Sequence, residues 1–210
     1  MVEIMLDLKQ FVSRKYLSEY STRIKPYFLI SLVFFLATVL LGFLLADVFK
    51  SIGIELLNQI ISEVPKQSIT ATYLFKNNLT VNLIIIAGGF LFSIISTLVI
   101  FINGFVIGFT YWIISNPILF MLYILPHGIF ELTATILSFG VSLMITRIVC
   151  RLIRGIFNKE STIKKEYDNS KLLITDILFS IFFIIILLLL AAFIEAYLTV
   201  PLANFFMRFF

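Results

Sequence analysis

Residues 177–194 read ILFSIFFIIILLLLAAFI, eighteen positions without a charge. An uncharged apolar run of this length spans the ~30 Å hydrocarbon core of a bilayer as a helix. Asp176 precedes it and Glu195 follows it, within a longer apolar run over 172–198. The rest of the chain agrees, with 60% hydrophobic and 13% charged residues over 210 positions. A soluble domain is about half apolar and a quarter charged. The fold class is therefore all-α, a polytopic membrane helix bundle with interfacial amphipathic helices. The length leaves no room for a second, soluble domain. The lipid bilayer is its first partner, and nothing points to nucleic acid.

Working outward, spans are expected at about 27–46, 79–102, 105–125, 128–149 and 172–198. The third is read as broken at Asn116-Pro117, with a re-entrant segment as the alternative. Residues 1–25 read as an amphipathic interfacial helix, with Ile4, Met5, Leu8, Phe11, Val12 and Leu17 at helical spacing. Packing of that helix on the bundle or on a second subunit is the competing reading. Pro26 is expected to end it and to start the first span. Ile54, Leu57, Ile60, Ile61 and Val64 predict a second amphipathic helix, stopped by Pro65. Residues 201–210 form an aromatic tail suited to the interface. The amino-terminal segment mixes acids and bases, and its first apolar run is long and late, so no cleavable leader is expected. A lone cysteine, Cys150, excludes an internal disulfide.

Charge sets the expected orientation. With five spans, one side carries Lys9, Arg14, Lys15, Arg23 and Lys25, then Arg147, Arg151, Arg154, Lys159, Lys164, Lys165 and Lys171. The other holds Lys50, Lys66, Lys76 and Arg208. The positive-inside rule places the N-terminus in the cytoplasm and the C-terminus outside. His127, the single histidine, and Glu131 stand four apart, on one helix face. Pro126 suits a first helical position ahead of them. Depth counting brings Asn78, Asn82, His127, Glu131 and Glu195 into one polar cluster near the outer face. Asp176 and Arg147 fall at similar depth inside and are expected to pair. Gly88-Gly89 predicts close helix approach, as does Gly104 with Gly108. Asn103-Gly104 predicts a break, and Gly128 follows the histidine at the start of a span.

The stretch from Phe75 to Val149 resembles the stage II sporulation protein M family. Three blocks carry the resemblance: Phe75-Lys76-Asn77-Asn78, Asn103-Gly104 with Gly108, and Leu125-Pro126-His127-Gly128-Ile129-Phe130-Glu131-Leu132. The last matches the L-P-H-G-x-x-E pattern characteristic of the family. In sporulating bacteria the resemblance implies a membrane scaffold that localises peptidoglycan-remodelling partners during engulfment; most members have no assigned activity.

The polar cluster admits three kinds of function. As a structural lock, His127 and Glu131 specify which helices meet, and the chain is a non-enzymatic scaffold that positions membrane-protein partners. As a site, Glu131, Glu195 and His127 suit a small proton-linked transporter or a lipid-handling protein. An intramembrane hydrolase is disfavoured, because no G-x-S-x-G or H-E-x-x-H is present. One histidine and one carboxylate make a thin zinc site; Glu195 offers a third ligand, but asparagine amides bind zinc weakly, so neither metal nor cofactor is expected. Small residues on the second span can equally serve a homodimer.

Overall fold

The computed structural model describes residues 14–63, 70–114, 116–157 and 162–207. The first 13 residues of the amphipathic helix expected over 1–25 therefore lie outside the described residues, as do Pro65, Lys66, Lys159 and Arg208. Every described element is helical: α1 (Arg14–Leu44), α2 (Ala46–Glu63), α3 (Ala71–Ala87), α4 (Ile94–Ile113), α5 (Pro117–Phe157), α6 (Ile163–Asp168), α7 (Lys171–Ile194) and α8 (Val200–Phe206). A short 3-10 turn over Gly88–Leu91 follows α3, and a π-helical segment over Glu195–Thr199 joins α7 to α8. Five helices are long and apolar enough to cross a membrane.

The number of spans agrees with the sequence reading; their borders do not. Pro26 does not end a helix, because α1 runs through it from Arg14 to Leu44. Pro126 is likewise inside α5 rather than at its start. In hydrocarbon a helix break exposes several backbone groups, whereas one proline forfeits a single N–H. Continuing the helix costs less. Asn103-Gly104 is not a break either: the Asn103 amide donates to Val99 O at 2.8 Å within α4. The second span ends instead at Phe92 and Ser93, both left-handed at φ 54° and 58°. Asn116-Pro117 then separates α4 from α5, so residues 118–125 are the first turns of a 41-residue helix and not half of a broken span.

Side-chain contacts give the helix directions. Phe34 stacks on Phe139 and Tyr27 accepts from Arg147, so α1 and α5 are antiparallel. Asn82 meets Ser138 and Gly89 meets Thr146, so α3 runs parallel to α5. Tyr20 meets Ser180 near one end, while His127 meets Thr199 at the other, so α7 runs with α1 and against α5. The five spans therefore alternate. From His127 to Arg147 along α5 is about 30 Å at 1.5 Å per residue, one hydrocarbon thickness.

α5 is the central element: Ala134, Leu137, Val141 and Met144 are buried in one cluster with Ile177, Ile184 and Leu188 of α7. Outward, Ile30, Val33 and Leu36 of α1 and Phe182 of α7 are exposed, the apolar surface a lipid-facing helix presents. α1 and α4 meet backbone to backbone. A Cβ on Gly108 would lie 1.9 Å from Val39 O, one on Gly104 2.0 Å from Thr38 Oγ1, and one on Gly42 2.1 Å from Phe105 O. Only glycine permits this approach.

Candidate functional site

Three groups of polar side chains lie along the bundle. At one end, α5 presents His127 and Glu131, and the π-helical segment presents Glu195 and Thr199. One ligand atom from each of His127, Glu131 and Glu195 lies within 4.8 Å of the other two. All three residues are half-buried. His127 Nδ1 is 3.3 Å from Thr199 Oγ1. The Thr199 hydroxyl also lies 3.2 Å from Ile194 O, and its one hydrogen serves either that carbonyl or the ring nitrogen.

The π-helical segment has a local cause. Pro201 has no N–H and its ring would strike the carbonyl four residues back in a regular helix. Widening the preceding turn removes that clash, and π-turns of this kind recur at functional sites. Here the wider turn places Glu195 and Thr199 toward α5.

From the middle of the bundle toward the Arg147 end, a buried polar seam joins α3 and the turn after it to α5. Ser138 Oγ donates to Asn82 Oδ1 at 2.7 Å, and Asn82 Nδ2 donates to Asn78 O at 2.8 Å. Ser96 donates to Ile85 O at 2.6 Å and lies 2.7 Å from Ser142 Oγ. Ser93 lies 2.8 Å from Ser142 Oγ and 2.7 Å from Thr146 Oγ1. Thr146 also bonds Gly89 O at 2.9 Å. Two consecutive left-handed residues cost roughly 1–2 kcal/mol each, and the Ser93 bonds to α5 hold the turn in place. Gly88 and Gly89 allow it: added Cβ atoms would fall 2.3 Å from Ser96 Oγ and 2.6 Å from Ser142 O.

At the other end, Asp176 is fully buried. Arg23 Nε and Nη2 grip its two oxygens at 2.7 Å each, and Tyr16 donates to it at 3.2 Å. Such a two-point grip is among the strongest polar contacts available. The expected Asp176–Arg147 pair is thus replaced: Arg147 is exposed and donates to Tyr27. Arg23 reaches Asp176 because α1 continues below Pro26.

Of the residues expected in one cluster, His127, Glu131 and Glu195 lie close together, whereas Asn82 turns to Ser138 in the seam and Asn78 offers its backbone carbonyl to the Asn82 amide. Gly88, Gly89, Gly104 and Gly108 are close-packing positions; Asn103 is an ordinary helical residue. Gly128 is buried, but its nearest side chains, Ile124 and Leu132, belong to its own helix. Sequence reasoning missed Thr199, Arg23, Gly42 and the pairing role of Ser138 and Ser142. The last two had a signal: 131, 135, 138, 142 and 146 are polar at the helical spacing of one face.

The profile of the stage II sporulation protein M family matches residues 31–200, a region that takes in the second, third and fourth spans, most of the fifth and about half of the first. The chain belongs to this family. An uncharacterized protein of Methanocaldococcus jannaschii is 28% identical over 177 residues, covering 80% of this chain and 95% of the relative. No solved structure matches the chain. Within the family match, residues 125–132 lie in the N-terminal third of α5, where the Pro-His-Gly block delivers the histidine.

Proposed function

We propose that the chain is a non-enzymatic membrane scaffold, which holds other membrane proteins in position rather than transforming a substrate. The supporting observation is the pairing of its interior. Among the described residues, no buried side-chain nitrogen or oxygen lacks a hydrogen-bond partner. Seam contacts in a bilayer contribute about 0.6 kcal/mol each and chiefly specify which helices meet. A transporter needs polarity that water or an ion can follow inward. Here Asn82, Ser138, Ser93, Ser96 and Ser142 are engaged with one another.

The orientation proposed is N-terminus cytoplasmic and C-terminus outside. Arg23, Arg147, Arg151 and Arg154 gather at the Asp176 end of the bundle, in keeping with the positive-inside rule. His127, Glu131 and Glu195 then face the outer side. The partners are membrane proteins or a second copy of the chain.

A second reading, a small proton-linked transporter or lipid-handling protein, draws on the opposed carboxylates of Glu131 and Glu195. Reconstitution separates the two. Under the scaffold reading, liposomes with the purified chain conduct protons no faster than empty ones. Crosslinking in native membranes yields discrete complexes of fixed stoichiometry. Proton flux that Glu131→Gln abolishes in a folded protein would overturn the reading.

A further inference from the structure

We propose that His127, Glu131 and Glu195 bind one first-row divalent cation of the zinc type at the outer end of the bundle, bracing α5 against the end of α7. The inference stands apart from the scaffold reading, since a scaffold and a transporter could both carry such a brace.

Four observations carry it. The donor set is one imidazole and two carboxylates, the usual number of protein ligands in a zinc site that keeps an open position. The ligand atoms already lie within 4.8 Å of one another. Tetrahedral zinc with bonds of ~2.1 Å needs ligand atoms about 3.4 Å apart, a rotamer-scale adjustment. The histidine has an orienting partner: Thr199 Oγ1 lies 3.3 Å from Nδ1, so Nε2 is the nitrogen offered to a cation. Metal-bound histidines are oriented in this manner by a partner on the other ring nitrogen.

The fourth observation is charge. Two carboxylates lie close to each other and to the histidine in a half-buried setting. A divalent cation neutralises both at once. The imidazole favours zinc and its neighbours in the first row over magnesium or calcium, which prefer oxygen alone. Ligands on α5 and on the π-helical segment make binding a cross-link between two spans.

The test uses the full chain carrying Cys150→Ser, which removes the one exposed thiol as a rival soft ligand. Protein stripped with chelator is given zinc, desalted and measured by elemental analysis; cobalt is added in parallel. One zinc per chain is expected, with a cobalt spectrum of low coordination number and a higher unfolding temperature. Glu195→Gln should weaken zinc binding by more than the 10- to 100-fold typical of losing an outer partner. Ser138→Ala, which touches only the seam, should bind as the parent does. The cobalt spectrum of the parent decides the matter even if a ligand variant does not fold. Zinc well below one per chain overturns the proposal, as does Glu195→Gln binding equal to the parent.

Discussion

The two ends of the bundle handle buried charge in opposite ways. At the Asp176 end, a fully buried carboxylate is matched by one guanidinium in a two-point grip, with a tyrosine hydroxyl added. At the His127 end, two carboxylates share one imidazole, and all three stay half-buried. The first arrangement is closed: every strong acceptor has its donor within the chain. The second is a converging set of acceptors on two helices. The contrast teaches that burial alone does not mark a functional site. The more deeply buried ion pair is the structural one, and the less buried cluster has the geometry of a ligand site.

The sharpest way to break this contrast is Arg23→Ala. It strands Asp176 in a dry position, and losing one partner of a buried pair costs about 3–5 kcal/mol. Reversible unfolding in mixed micelles should show a loss of that size. Replacing both partners with apolar residues of similar volume should recover most of it. A next effect tests whether helix contact in between is equally strict. Gly108→Ala drives a Cβ toward Val39 O and should cost about 1–3 kcal/mol by overpacking. Gly128→Ala, facing only its own helix, should be close to neutral in the same assay. Ser138→Ala removes one seam bond and should cost about 0.6 kcal/mol. Smallest of all, and opposite in sign, is Glu131→Gln in metal-free protein. It relieves the facing carboxylates and should leave stability unchanged or slightly raised. A loss comparable to that of Arg23→Ala would erase the distinction between the ends.

The convergence of residues 127, 131 and 195 was legible because three constraints act together: span count, depth per residue and the cost of lone polar groups in lipid. The span borders were not. In water Pro26, Pro126 and Asn103-Gly104 punctuate helices, but in hydrocarbon the unsatisfied backbone of a break outweighs their local preference. The real turn, Phe92-Ser93, carries no glycine at its left-handed positions and is held by hydroxyls of α5, which local sequence does not reveal. Arg23 was missed for the same reason: ending a helix at Pro26 removed it from the depth of Asp176. Thr199 escaped because only the π-turn before Pro201 aims it at α5.

The most direct measurement is proximity across the outer end from a known side. Glu131→Cys with Glu195→Cys, in the Cys150→Ser background, is treated in intact cells with a short membrane-impermeant thiol crosslinker. The account predicts an efficient link within one chain, formed by reagent that never enters the cytoplasm. A pair that stays unlinked in folded protein, or links only when the reagent is admitted to the cytoplasm, would contradict it.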